Sequence, residues 1–152
     1  MGHRGGDSDA MRREMTEAGA MPLVKGAEKL WEWFGRWPRF HDAEILRVEL
    51  DRKTGGRIVV HAWNMTAETD ELGYFIRRDH ALVEFRFEEV FDLELAGFSG
   101  QNVVFGIDVE SLEGGLRWTA SPSYGLAGSV SAKAISVTLQ PANPDGTAIE
   151  LR

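Results

Sequence analysis

Val83-Glu84-Phe85-Arg86-Phe87-Glu88-Glu89-Val90-Phe91-Asp92-Leu93-Glu94-Leu95 alternates apolar and charged side chains more cleanly than any other part of the chain. Val83, Phe85 and Phe87 oppose Glu84, Arg86 and Glu88, and Phe91, Leu93 and Leu95 then oppose Asp92 and Glu94. Successive side chains of a strand point to opposite faces, so this pattern buries one face and wets the other, as in an antiparallel sheet.

The same period extends outward. Leu46, Val48 and Leu50 alternate with Arg47 and Glu49, and the turn cluster Arg52 to Gly56 leads into Ile58 to Trp63, which reads as a hairpin. A polar loop from Thr66 to Leu72 ends at Gly73, and Tyr74 to Ile76 begins a strand that turns near Arg78-Asp79-His80. Further strands are expected at Val103 to Val109, Leu116 to Ala120 and Val130 to Leu139, separated by Gly114-Gly115 and by Pro122 to Gly128, which makes seven or eight strands. Ahead of them, Ala27 to Phe34 favours helix, with Leu30, Trp31 and Phe34 as an apolar stripe that Gly35 and Pro38 end. The expected fold class is α+β or mainly β: a single domain of antiparallel strands in a bent sheet or sandwich, with a short N-terminal helix. Residues 1–21 read as a loose N-terminal arm, 22–140 as the domain, and 141–152, broken by Pro141, Pro144 and Asp145-Gly146, as a C-terminal tail.

Composition narrows the functional classes. The 152 residues carry 43% hydrophobic side chains with five Trp and eight Phe, enough for a core without staples. Cysteine is absent, which rules out disulfides and thiolate chemistry and fits a cytoplasmic protein. No apolar run suits a signal peptide or a membrane span, so no membrane partner is expected. The net charge is −7, and residues 41–152 hold ten Lys and Arg against eighteen Asp and Glu. Such a surface repels phosphate backbones, which argues against nucleic acid, and steers a basic protein toward it.

Chemistry-bearing residues are few. From Leu30 to Glu44 the chain concentrates Trp31, Trp33, Trp37, Phe34 and Phe40 beside His41, Asp42 and Glu44. His41, His61 and His80 with Asp42, Glu44, Glu68 and Asp70 offer nitrogen and oxygen ligands of the kind zinc takes, but no HExxH or comparable spacing joins them. The plainer reading makes Asp42 an Asx-turn residue and packs His41 against Trp37 and Phe40 as part of a structural motif. No Gly-x-Ser-x-Gly elbow and no phosphate-loop motif occurs, so no catalytic residue, metal or cofactor is assigned. Glu68, Asp70 and Glu71 form an acidic loop cluster suited to partner contact, and Trp33, on the opposite side of the helix from Trp31, suits an exposed anchor. Gln101-Asn102 reads as a satisfied turn, or alternatively as a pair of amides that recognise a partner's backbone. Two other functions stay open: a small metal-dependent hydrolase using His41, Asp42, His61 and an acid from Glu68 to Glu71, and a ligand-binding module with an aromatic pocket at Trp33, Trp37 and Tyr74.

Trp33-Phe34-Gly35-Arg36-Trp37-Pro38-Arg39-Phe40-His41-Asp42-Ala43-Glu44-Ile45-Leu46, His80 to Phe87, Leu95 to Val103 including Ser99-Gly100-Gln101-Asn102, and Pro122 to Gly128, in that order, resemble the immunity protein 50 family of bacterial polymorphic-toxin systems. The resemblance runs from about Leu30 to Leu139. It implies a mostly β, non-enzymatic protein that binds and neutralises a secreted toxin or effector, and it brings no catalytic residues with it. An acidic surface would suit a basic, nuclease-like toxin.

Overall fold

The alternating stretch is the middle of one long strand paired on both sides, and its pairing organises the rest of the chain. In a computed structural model that describes residues 18–149, β1 (Glu44–Asp51), β2 (Gly55–Thr69), β3 (Phe75–Ala96), β4 (Val103–Leu112), β5 (Gly115–Tyr124) and β6 (Ala127–Pro141) are all antiparallel to their neighbours. They close in the order β1-β2-β3-β6-β5-β4. Two three-strand meanders therefore meet edge to edge. The β1–β4 seam is sealed where the Asp42 N–H donates to Val104 O (2.9 Å), the Val104 N–H to Ala43 O (2.9 Å) and the Ile45 N–H to Asn102 O (2.8 Å).

The structure corrects two expectations. There are six strands rather than seven or eight, because the strand expected from Tyr74 and the stretches Val83 to Phe87 and Phe91 to Leu95, with the break expected near Asp79, lie in the single strand β3. The polar run after Thr66 does turn, at 70–74. Asp79 and Glu89 take positive φ (56° and 53°) within β3, so the chain absorbs the irregularity locally and continues. Near Glu89 the register also slips between Val90 and Asp92, a bulge that leaves Phe91 as the extra residue. The sheet is also a closed barrel rather than a bent sheet or sandwich, because β4 returns to β1.

Val83, Phe85 and Phe87 point into a core shared with Ile58, Val60, Trp118, Val130 and Ile135, all essentially inaccessible to water. Each such side chain contributes about 1.5–3 kcal/mol on burial. The helix α1 (Glu28–Phe34) adds Leu30 and Phe34 to this core and stops at Gly35, whose φ of 73° suits a residue without Cβ and whose N–H donates to Trp31 O (2.8 Å). Trp37 and Phe40 follow inward, and the Phe40 ring meets Phe85 edge-on at 5.8 Å. Ahead of α1, the Lys25 N–H donates to Ile135 O (2.9 Å) and the Val137 N–H to Lys25 O (2.8 Å), so the chain adds to the β6 edge before the helix begins. Most of the expected arm, residues 1–17, lies outside the described residues. Among those described, no helix is long and apolar enough to cross a membrane.

Candidate partner-binding site

Stagger in the barrel sends one hairpin beyond it. β1 pairs with β2 only as far as His61, and β6 meets β3 only from Ala81 onward, so the two strand ends between them pair with each other alone. The turn of this arm is built by Asp70: its Oδ1 accepts the N–H groups of Leu72 (2.9 Å) and Tyr74 (3.0 Å), and its own N–H donates to Tyr74 O (2.9 Å). Glu68 pairs with Arg78 across the arm, and Glu71 is exposed at the turn. Beside these carboxylates Leu72, Tyr74 and Phe75 are 82%, 69% and 60% exposed. Sequence alone points to the acids, and to Tyr74 only as a pocket residue; it does not single out Leu72 and Phe75, although three large apolar residues around Gly73 stand out in an otherwise polar run.

The root of the arm is braced by the helix. Asn64 Nδ2 donates to Phe34 O and to Asp79 Oδ2 (3.0 Å each), and Arg36 Nη2 donates to Asn64 Oδ1 (3.3 Å). Trp33 is half-buried and donates from Nε1 to Asp79 O (2.9 Å), while the Arg77 guanidinium lies 4.5 Å over the Trp63 ring. Trp33 thus ties the helix to the arm.

His41 and Asp42 occupy a tight turn in which Phe40 and Asp42 have φ of 63° and 64°. His41 is exposed, with Nδ1 3.1 Å from Phe105 O, its ring edge-on to Phe105 at 5.2 Å and Nε2 3.5 Å from Asp42 Oδ2. His61 is buried elsewhere, on the neighbouring strand of the arm's base, with Nε2 2.9 Å from His80 Nδ1 and the Asp145-Gly146 turn packed against its ring. The hydrolase set of His41, Asp42, His61 and an arm carboxylate is therefore not brought together. Among the described residues no three His, Asp or Glu side chains converge on one metal position. Trp33, Trp37 and Tyr74 are not assembled either: Trp37 lines a groove of about 1030 Å³ with Trp63 and Phe105, Trp33 lines a cavity of about 290 Å³ with Lys29 and Leu139, and Tyr74 is on the arm.

The histidine pair carries a pH signature. Burial first, then the neighbouring His80 and Arg77 charges, push the His61 imidazole below its ordinary range against the pull of Asp145. Burial and Arg77 do the same to His80 against Asp79. Both rings bind fewer protons folded than unfolded, so the stability they allow is present above the unfolded value of about 6.5 and is lost as pH falls toward the depressed folded values. Urea midpoints are expected to be level from pH 8 to 7 and to fall from pH 6.5 to 5, with a shallower fall in His61→Gln. A midpoint that rises on acidification would contradict this.

Asn102 joins three distant segments. Its Oδ1 accepts from the Ser99 N–H (2.9 Å) and the Leu126 N–H (3.0 Å), and its Nδ2 donates to Ser99 O (2.9 Å) and, at 3.5 Å, to Ile45 O. It is buried, whereas Gln101 is exposed and its carbonyl accepts from Ser99 Oγ (2.8 Å). Leu126 belongs to the β5–β6 turn and Ile45 to β1, so the quoted stretches around Ile45, Asn102 and Leu126 meet at one buried amide.

No curated protein and no solved structure matches the chain. The family described as Immunity protein 50 does, over residues 26–140, a span that takes in α1, the His41-Asp42 turn, the arm, the Asn102 junction and nearly all of the barrel. With well over half of its length matched, the chain belongs to the immunity protein 50 family.

Proposed function

We propose that this protein is a non-enzymatic immunity protein that binds a secreted bacterial toxin or effector in the cytoplasm of the cell that makes it, and blocks it with the β2–β3 arm. The observation that carries this reading is the exposed trio Leu72, Tyr74 and Phe75 beside Glu68, Asp70 and Glu71 on a hairpin whose root is tied to α1. Aromatic side chains are favoured interface anchors, and a braced hairpin loses little freedom on docking. The carboxylates suit a basic, nuclease-like active site, which they would engage by occupying the place of its anionic substrate and by speeding encounter. Family membership supports the toxin as partner.

The test is co-expression with the toxin encoded beside this gene. Rescue of poisoned cells is expected. Tyr74→Ala with Phe75→Ala is expected to weaken binding about 100-fold, near 3 kcal/mol, and Glu71→Lys to weaken it further at low salt than at high salt. No rescue from any neighbouring toxin would count against the function. Rescue with undiminished affinity in the arm variants would count against the arm.

A further inference from the structure

Beyond Phe87 the β3 strand loses its β2 neighbour. Its last partner on β2 is Gly56, opposite Phe87, whereas on its other side β3 stays paired with β6 as far as Ala96 opposite Ala127. Among the described residues nothing pairs with the other edge of residues 88–96, and Phe91, Asp92, Leu93 and Glu94 are exposed. Past the bulge at Phe91, the run Asp92-Leu93-Glu94-Leu95-Ala96 is in regular register.

The two faces of this edge differ. Leu93 lies opposite Val130, which lies opposite the buried Trp118, so Leu93 and Leu95 continue the core face of the sheet, and Leu93 is still 40% exposed. Asp92 and Glu94 stand on the outer face opposite Ser131 and Ser129. Several other carboxylates have partners in the chain: Glu89 has Lys133 at 3.5 Å, Glu110 has Arg117 at 3.0 Å, and Glu84 has Arg57 and Arg86. Among the described residues no cation pairs with Glu88, Asp92 or Glu94.

We propose that residues 92–96 of β3 are a strand-addition site for a basic extended segment of another protein, one that alternates Lys or Arg with β-branched apolar residues. Backbone donors and acceptors of the free edge would pair with the incoming strand, its apolar side chains would cover Leu93 and Leu95, and its cations would meet Asp92 and Glu94. A second copy of this chain fits poorly, because an antiparallel pair would set these carboxylates against their own counterparts. This edge is at the opposite end of β3 from the arm, so the site is independent of toxin contact.

The experiment uses the full chain, a short capped peptide alternating Lys or Arg with Val or Ile, and a control of equal charge with proline at each apolar position. The first peptide is expected to bind and to slow amide exchange at residues 92–96, and the proline control, which lacks alternate N–H donors, to bind at least tenfold more weakly. Asp92→Lys with Glu94→Lys is expected to lose about tenfold or more in affinity, and Asp92→Asn with Glu94→Asn, which preserves shape if the lysine pair fails to fold, to lose less. Equal binding of the two peptides, protection elsewhere, or self-association through this edge that excludes the peptide would overturn the proposal. Tyr74→Ala with Phe75→Ala is expected to leave peptide binding unchanged, so loss of toxin neutralisation there bears only on the arm.

Discussion

Asn102→Leu is expected to lower the stability of this protein by about 2–4 kcal/mol, from the buried Leu126 N–H left without an acceptor at about 1–3 kcal/mol, with smaller losses from the part-buried Ser99 N–H and the amide donor. The Ser99 and Leu126 N–H groups both end on Asn102 Oδ1, and leucine supplies no acceptor for either. Asn102→Asp keeps an acceptor but turns a carboxylate oxygen toward Ser99 O and Ile45 O in a buried place, so it is expected to be no better. The neighbouring turn packs closely on this junction. Gly125 has φ of 82°, and a Cβ there would sit 2.3 Å from Gln101 O and 2.6 Å from Asn102 Oδ1. Urea unfolding checks the prediction: the midpoint should fall while the slope stays constant, and a loss under 1 kcal/mol would show that the junction contributes little.

Trp118→Ala is expected to cost somewhat more, about 3–5 kcal/mol, and to lower the midpoint of thermal unfolding by roughly 10 °C or more. Trp118 is wholly buried, 5.8 Å from both Phe85 and Phe87 by ring centroid, and alanine leaves a hole between walls held by six hydrogen-bonded strands. Trp118→Phe separates packing from polarity. The Trp118 Nε1–H is buried with no hydrogen-bond partner among the described residues, so phenylalanine removes an uncompensated donor while opening a smaller gap. These effects oppose each other, and Trp118→Phe is expected within about 1 kcal/mol of the parent. A phenylalanine variant as unstable as the alanine one would mean that the indole fills space no smaller ring can share.

The residues that carry the family resemblance act largely as scaffold. Trp37 and Phe40 are core, Asp42 closes the seam through its N–H to Val104 O, and Asn102 joins the β1 start to the β5–β6 turn. The exposed chemistry sits elsewhere, on the arm and on the β3 edge.

Local periodicity was enough to reveal the strands and the helix. The alternation from Val83 to Phe87, the Leu30 and Phe34 stripe and the stop at Gly35 each report on neighbours within a few residues, and the physics that reads them, burying one face or ending a helix without a Cβ, is equally local. Tertiary structure decided what pairs across distance. Positive φ at Asp79 and Glu89 bends β3 without ending it, and closure of β4 on β1 makes a barrel of what alternation alone describes as any antiparallel sheet. His61 takes His80 rather than His41 as its partner, and Leu72, Tyr74 and Phe75 stay wet because barrel stagger carries their hairpin beyond the wall. Strand register is set by the sum of many remote contacts, and no short stretch of sequence contains that sum.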